Sequence, residues 1–323
     1  MKSLPDDFGI EDSDVKVHTS SSIAKYNRCP KLWSFYYKHR VNPPESILDT
    51  NEAISVGSCI HEAFDSILTN LKFENDFNHE IIDWKKSVNE YPDHISAIAI
   101  PTVEVFLERT SFFEEITPVE VELELYADFE DGVGGYEDNS DDIINLSGGA
   151  RLGGKIDAIV AYDNMLWVLD HKTSKVMPRE NQYELHQQFN NYCWLARQHG
   201  YEVDGVIVNA IKQPSIKRKK EESFDDYSER IKKSLISKID EKGTNQDLFR
   251  IFRMFKSDYV VRNSMEDIKN AIYHIEHDVG FRKNTGSCFF YRRPCEFFDV
   301  CRDAVDLQTL SFSEKEHPEL KLI

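Results

Sequence analysis

The sequence predicts an α/β fold in which a mixed central sheet is flanked by helices. Several stretches carry apolar residues at helical spacing, whereas others alternate apolar and polar residues as strands do. A chain of 323 residues with 40% apolar content can also bury a substantial core. We therefore expect one compact domain built from both kinds of element.

The first half of the chain is predicted to be mainly helical. A helix over residues 19–40 begins at candidate capping serines and ends before Pro43-Pro44. Apolar residues at helical spacing predict helices over 54–72 and 94–113. A strand over 119–127 follows, in which apolar residues alternate with glutamates. Glu120 or Glu122 is a candidate to approach a site, although a solvated strand face is the stronger interpretation.

The second half of the chain is predicted to hold most of the sheet. Strands over 155–162 and 165–173 are separated by Asp163-Asn164, a turn-forming pair, and so form a hairpin. A helix indicated by Leu185, Gln188, Phe189, Tyr192 and Leu195 precedes a strand over 203–211. A helix over 227–239, a strand over 248–256 and an amphipathic helix over 265–279 complete the elements.

Composition also predicts how the chain is organised. Residues 1–18 are expected to be an unstructured acidic leader, and residues 19–310 a single domain. Within it, 128–149 is an exposed excursion, about 214–247 a charged insertion, and 284–303 a segment rich in cysteine. Residues 311–323 are a tail.

Charge and hydropathy restrict the classes of function. No long apolar run is present, which excludes a membrane span, and the polar start carries no secretory signal, so a cytoplasmic protein is expected. The net charge of −18 is unfavourable for binding nucleic acid. Two basic runs could form a local basic track: Lys217 to Lys220 with Lys212, and a group near the start. That group is Arg28, Lys31, Lys38, His39 and Arg40.

The hairpin carries the residues of a candidate catalytic site. Side chains alternate along a strand, so Asp170 and Lys172 share one face, where Asp157 of the neighbouring strand can meet them. Carboxylates are ligands that Mg²⁺ or Mn²⁺ prefers, and a lysine can stabilise a developing phosphorane. A surface charge pair is the alternative interpretation.

Two predicted helices add further candidates. His61 follows Gly57 on a helix whose apolar face includes Phe64 and Leu68, where a histidine is more often a core residue than a ligand. Gln188 and Tyr192 lie four residues apart and so share a helix face, which packing alone could explain.

In this order, the motifs resemble the PD-(D/E)XK nuclease superfamily, and specifically its RecB-like branch. That branch includes the RecB and AddB nuclease domains, CRISPR-adaptation nucleases and phage exonucleases. The resemblance covers about residues 20–305 and implies the restriction-endonuclease-like core. It implies that His61, Asp157, Asp170 and the backbone carbonyl of His171 bind Mg²⁺ or Mn²⁺, that Lys172 is catalytic, and that Gln188 and Tyr192 contact nucleic acid.

The cysteines suggest a second metal site. Cys288, Cys295 and Cys301 lie within fourteen residues, and Cys29 is the natural fourth ligand. The segment around Cys29-Pro30 resembles the opening of AddB-type nucleases, which implies a [4Fe-4S] cluster on these four thiolates. AddB-type chains usually space the last three differently, with a close C-x-x-C pair. Zinc on the same thiolates or buried free cysteines are the alternatives.

The resemblance implies a metal-dependent DNA exonuclease acting in recombination, repair or phage DNA processing. The chain has no G-x-x-x-x-G-K-[ST] motif, so we expect any unwinding to come from a separate helicase or annealing protein. The alternatives are a catalytically idle module of the same fold that binds DNA or a protein partner, and a zinc-stabilised structural protein.

Overall fold

A computed structural model describes residues 16–43, 52–74, 84–129, 150–179, 181–290 and 293–311. Most of the predicted leader, excursion and tail therefore lie outside the described residues.

The described part of the chain contains six longer helices, eight strands and several short helical turns. The longer helices are α1 (Ser20–Arg28), α2 (Glu52–Glu74), α3 (Asp93–Arg109), α4 (Gln187–Gln198), α5 (Phe224–Lys242) and α6 (Asp258–His277). The strands are β1 (Lys16–Thr19), β2 (Thr117–Asp128), β3 (Ala150–Tyr162), β4 (Met165–Ser174), β5 (Gly205–Lys212), β6 (Phe249–Phe255), β7 (Phe289–Phe290) and β8 (Arg293–Pro294). Short turns lie at Pro30–Trp33, Ser34–Lys38, Trp84–Lys86, Phe112–Glu115, Asn181–Glu184, Thr285–Ser287, Phe298–Cys301 and Leu307–Thr309.

The chain divides into two compact units, each made of segments separated in sequence. The sheet unit comprises residues 50–124 and 155–257. The cysteine unit comprises residues 1–49, 125–154 and 258–323. A single domain over 19–310 stays a prediction.

The sheet unit contains the mixed sheet that the sequence predicts. The strands lie in the order β3–β4–β5–β6, with β2 beside β3. β3 and β4 are antiparallel, β4 and β5 parallel, and β5 and β6 antiparallel. Helices α2, α3 and α5 supply the other half of its core, which includes Phe64, Phe106, Trp167, Leu169 and Ile231. The predicted mixed α/β architecture is confirmed.

A tight turn closes the predicted hairpin between β3 and β4. Asp163 and Asn164 both have positive φ, 51° and 58°. Two consecutive left-handed residues make the turn type whose twist matches that of antiparallel strands, and Asp and Asn tolerate this conformation better than most residues. The turn therefore sets the register that pairs Tyr162 with Met165.

The predicted helix over 19–40 begins where expected, but its continuity and its capping residue are wrong. The Thr19 hydroxyl caps α1 by accepting a hydrogen bond from the Ser22 N–H at 3.1 Å. The helix ends at Cys29, which is extended, with φ −164° and ψ 113°. Pro30 explains the break because a proline disfavours helical geometry in the residue before it. Residues 16–18, predicted as leader, belong to β1, which pairs in parallel with Ala150–Gly153.

The predicted helix around Gln188 begins later than its apolar pattern suggests. Leu185 is 85% exposed and precedes α4, which starts at Gln187. The buried face of α4 is instead formed by Phe189, Cys193, Leu195 and Ala196. One apolar residue at helical spacing was therefore outside the helix.

Within the described residues, no helix is long and apolar enough to cross a membrane.

Candidate active site

The site is built on the β3–β4 hairpin of the sheet unit. Ala158 pairs with Leu169, so Asp157 and Asp170 occupy the next positions of the two strands. Directly opposed residues of an antiparallel pair carry their side chains on one face. The backbone register therefore brings the two carboxylates to the same face of the hairpin.

Lys172 binds the more buried of these two carboxylates. Its Nζ lies 2.9 Å from Asp170 Oδ1 and 2.7 Å from Oδ2. Asp170 is 1% exposed, whereas the Lys172 side chain is 29% exposed. The predicted alternation of Asp170 and Lys172 along β4 therefore holds, and the lysine is the solvent-facing member of the pair.

Asp157 is held by a backbone group and approached by a histidine. Its Oδ2 accepts a hydrogen bond from the His171 N–H at 2.7 Å, and His61 Nδ1 lies 3.5 Å from the same oxygen. Burial raises the pKa of the Asp157 carboxyl, and the charge of Asp170 raises it further. His61, the His171 N–H and Lys172 oppose this rise. The arrangement therefore favours a positive charge between the two acids.

His61 reaches Asp157 because α2 passes very close to β4. A Cβ atom added at Gly57 would lie 2.5 Å from Thr173 Oγ1, a hydroxyl that also accepts a hydrogen bond from Gln213 Nε2 at 3.2 Å. Residue 57 must therefore be glycine, because any side chain there would overlap Thr173. His61 follows Gly57 by about one helical turn and so faces the same cavity.

His171 packs into the core beside the site. Its ring is fully buried, 4.7 Å from the ring of Phe64 and 5.7 Å from that of His61. Asn209 Nδ2 lies 3.0 Å from His171 Nδ1. Burial lowers the pKa of His171 well below its ordinary value, as do His61 and Lys172, so the ring is neutral.

A cavity of about 760 Å³ opens beside His61 and Asp157. Its lining includes charged side chains that the sequence interpretation had not assigned to the site, among them Asp65, Lys155 and Glu62. Burial, and then the charge of Asp157, raise the pKa of Asp65 to about 8. The other lining residues are Ile54, Gly57, Ser58, Tyr91, Glu122, Thr173, Ser174, Lys175 and Gln213.

Glu122 enters the cavity from β2, as one of the two glutamates proposed from sequence. It has φ 54°, a left-handed conformation that is strained for glutamate, and its carboxylate pairs with the ammonium of Lys155. Glu120 instead pairs with Lys72 at 2.6 Å. No sequence signal distinguishes the two glutamates, because strand alternation places both on one face.

The glutamine–tyrosine pair lies on α4. Gln188 Nε2 donates to the Tyr192 hydroxyl at 2.7 Å, so the two side chains form one unit on one helix face, and Tyr192 is buried. Phe189 of the same helix places its ring 5.7 Å from Lys172 Nζ. Two more neighbours, Tyr183 and His186, were not predicted. The charge of Asp170 acts to raise the pKa of both side chains.

The four candidate cysteines lie in the cysteine unit. The Asn284 N–H donates to Cys29 Sγ at 3.3 Å, and the Phe297 N–H donates to the thiol of Cys295. Burial raises the pKa of Cys301, and Cys29 and Cys288 raise it further, so these sulfur atoms are neighbours. Cys59 and Cys193 are fully buried in the sheet unit, where burial raises the pKa of each to about 12.

Among the described residues, no three His, Cys, Asp or Glu side chains form a preassembled metal site. The donor chemistry at the hairpin nevertheless fits Mg²⁺ or Mn²⁺. An imidazole and two carboxylates are suitable ligands, and a cation would relieve the repulsion that raises the pKa of Asp157. Lys172 supplies the positive charge on Asp170 in this structure. Two of the four candidate cysteines, Cys29 and Cys295, accept a backbone N–H hydrogen bond at sulfur.

A family model described as PD-(D/E)XK nuclease superfamily matches residues 18–302. No curated protein matches significantly. A solved structure entitled "Crystal structure of SSO0001" aligns over 80% of this chain and 98% of its own, with 12% identity and a TM-score of 0.30. That similarity is too low to support an argument about fold or function.

Proposed function

The chain belongs to the PD-(D/E)XK nuclease superfamily, and we propose that it is a metal-dependent exonuclease that hydrolyses phosphodiester bonds of DNA. The observation that carries the proposal is the buried Asp170 carboxylate, bound by Lys172 and opposed across the hairpin by Asp157. Asp170 is only 1% exposed, which does not fit the alternative of a charge pair on the protein surface, because burying a carboxylate costs free energy.

Each residue has a proposed role in the reaction. His61, Asp157, Asp170 and the His171 carbonyl would hold Mg²⁺ or Mn²⁺, which when bound polarises the phosphate and lowers the pKa of a water molecule. The Lys172 ammonium leaves Asp170 to stabilise negative charge that develops on the phosphate oxygens. The His171 N–H keeps Asp157 oriented, and Gln188 with Tyr192 contacts the nucleic acid strand.

We further propose that Cys29, Cys288, Cys295 and Cys301 bind a [4Fe-4S] cluster. Burial raises the pKa of Cys295 to about 11, and the Phe297 N–H opposes this rise; the Asn284 N–H points at Cys29 in the same way, as the N–H groups around cluster thiolates do. A separate helicase or annealing protein, and a role in recombination, repair or phage DNA processing, stay predictions.

The activity is tested with end-labelled linear DNA, single-stranded and duplex, in Mg²⁺, Mn²⁺ or EDTA. We expect digestion that requires metal and free ends, with circular single strands resistant. Lys172→Ala and Asp170→Asn should abolish it, whereas Lys233→Ala, a matched change at an exposed lysine of α5, should not. DNA binding without hydrolysis in any metal would instead support the idle-module alternative.

The cluster is tested by anaerobic purification with iron, sulfide and zinc analysis. Four iron and four sulfide per chain, with visible absorbance lost in Cys295→Ser, would support it. Zinc in place of iron, or no metal at all, would overturn it. Cys193→Ser, at a buried cysteine of the sheet unit, is the matched control.

A further inference from the structure

Basic residues of this acidic protein are concentrated in two acid-free segments. Residues 15–44 contain six lysines and arginines, and residues 279–295 contain four, with no aspartate or glutamate in either. The whole chain has 57 acidic residues and a net charge of −18. Such segregation indicates a local positive field that the net charge conceals.

The cysteine unit brings the two segments together. The Lys31 N–H donates to the Arg282 carbonyl at 3.2 Å. The Arg28 carbonyl accepts hydrogen bonds from Asn284 Nδ2 at 2.9 Å and from Ser287 Oγ at 2.8 Å. The positive charges of both segments therefore share one surface, here called the basic face: Lys25, Arg28, Lys31, Lys38, Arg282 and Lys283.

Stacked aromatic rings support the lysines of the basic face. Trp33 stacks on Phe281 at 5.4 Å and on Tyr37 at 5.6 Å, with interplanar angles of 13° and 25°. Lys38 Nζ lies 4.9 Å from the Phe281 ring, and Lys25 Nζ lies 5.5 Å from the Tyr37 ring. Cation–π contacts hold these ammonium groups without neutralising them.

Most of the positive charge of the basic face is not paired with a carboxylate. Within the described residues, Lys25, Lys31, Lys38, Arg282 and Lys283 form no ion pair. Glu296 pairs with Arg28 at 3.3 Å, and Asp278 accepts hydrogen bonds from Tyr26 and from two backbone N–H groups. Asp303 and Asp306 share a cavity with Lys31 and Lys283, and the Arg282 charge lowers the pKa of Asp278, so Lys25 and Lys38 are the least compensated positions.

The other basic run, Lys217 to Lys220, is built differently. Glu222 Oε1 and Oε2 accept hydrogen bonds from Arg230 at 2.6 and 2.7 Å, and the Lys219 N–H also donates to Oε2. Arg218 donates to the Glu222 carbonyl, and Arg230 to the Lys217 carbonyl. Its difference from the basic face is that Glu221 and Glu222 follow the run directly, whereas the basic face is drawn from acid-free segments.

We propose that the basic face binds the phosphodiester backbone of nucleic acid, and that the Lys217–Lys220 run does not. The identity of the ligand rests on the proposed nuclease function. Arginine and lysine bind phosphate without regard to sequence, and aromatic rings interleaved with basic residues are typical of surfaces that bind single strands.

The test is the salt dependence of DNA binding, measured by fluorescence anisotropy without divalent cations. The variant K25Q/K38Q/R282Q is compared with K217Q/K219Q/K220Q, which removes the same charge from the other run. For single strands, we expect the first variant to reduce the slope of log K against log salt by about two, and to bind about tenfold or more weakly. The second variant should match the wild type.

Further controls make the result decisive. The charge-conserving variant K25R/K38R/R282K should keep wild-type binding, which a packing defect would not. Equal weakening in both Gln variants, or none in the first, would overturn the proposal. So would tighter binding of poly-glutamate than of DNA, since an acidic protein would then be the better ligand.

Hydrolysis of thymidine 5′-(p-nitrophenyl) phosphate, a substrate too small to span the basic face, should be unchanged in both Gln variants. If the wild type hydrolyses neither this ester nor DNA, the proposed function fails. The binding result still decides the role of the basic face.

Discussion

The buried Asp170 carboxylate of the site is compensated by a single side chain, Lys172. Asp170 is inaccessible to water, and Lys172 lies within 2.9 Å of both of its oxygens. A buried carboxylate is costly without a partner, so the pair is retained or lost as a unit. Catalysis then requires the lysine to exchange Asp170 for the substrate, which its partial exposure permits.

Removal of Lys172 should therefore affect both activity and stability. We expect Lys172→Ala to reduce hydrolysis at least about 100-fold, because a charge-stabilising donor is lost. It should also lower the free energy of unfolding by about 1–2 kcal/mol, less than for a fully buried pair because the lysine is partly exposed. In the Asp170→Asn background the same change should cost little stability. Urea unfolding and DNA hydrolysis measure the two effects. If Lys172→Ala lowered the free energy of unfolding as much in the Asp170→Asn variant as in the wild type, the two residues would not be coupled.

Asp65 should make stability depend on pH. Its pKa is raised from 3.8 to about 8, mainly by burial, so the folded state retains a proton that the unfolded state releases. This contribution is fully present below about pH 4 and is lost as pH rises towards 8. We expect Asp65→Asn to match the wild type at low pH and to be more stable above pH 8. Thermal unfolding in EDTA measures the difference, and parallel pH profiles would contradict it.

At the scale of elements, the approach of α2 to β4 positions the site. Gly57 is the contact point, and Thr173 and Gln213 form the opposing surface. In an ordinary helix interior, alanine would be preferred to glycine by about 1 kcal/mol. Here the contact reverses this preference, because the added methyl group would overlap a hydroxyl held by a hydrogen bond.

Gly57→Ala should thus separate α2 from β4 and displace His61. We expect a loss of about 1–3 kcal/mol in stability, as for overpacked cores, together with a fall in hydrolysis. Thr173→Ala removes the obstructing hydroxyl. The double variant Gly57→Ala/Thr173→Ala should therefore recover most of the lost stability and most of the lost hydrolysis. A double-mutant cycle with activity as a second readout measures the coupling. Additive effects would show that the contact does not position His61.

The elements themselves were largely predictable from local signals. The β3–β4 hairpin follows from its strand pattern and the Asp163-Asn164 turn, and α5 and α6 follow from apolar spacing, although both begin several residues before their predicted starts. The break at Cys29 was missed, although Pro30 provides its signal. Leu185 was misassigned because helical spacing cannot show where a helix begins.

For the whole molecule, the described apolar clusters differ in size. The sheet unit has a large core around Phe64, Phe106 and Trp167, whereas the core of the Cys29 region is small and contains Leu32, Phe35, Phe297 and Val300. Small cores commonly need a metal or another covalent link for stability. The proposed cluster would supply that link between Cys29 and the late cysteines.

Loss of the cluster should therefore loosen one unit selectively. We expect Cys29→Ser to increase hydrogen exchange in the Ser34–Lys38 and Phe298–Cys301 turns, while β4 and β5 stay protected. Mass spectrometry after hydrogen exchange measures both regions, with Cys193→Ser as the matched control. Unchanged exchange in an iron-free variant would show that the thiols do not stabilise the unit.

The sequence by itself determined the mixed sheet, the order of its elements and the residues on each strand face, because alternation and turn chemistry act over a few neighbouring residues. It also carried the motifs by which the family is recognised. Only the tertiary structure decided that His61 approaches Asp157 through the Gly57 contact, that Asp65 and Lys155 share its cavity, and that two acid-free basic segments lie side by side. These features join residues far apart in the chain, and they depend on close packing between elements, which local pattern does not encode.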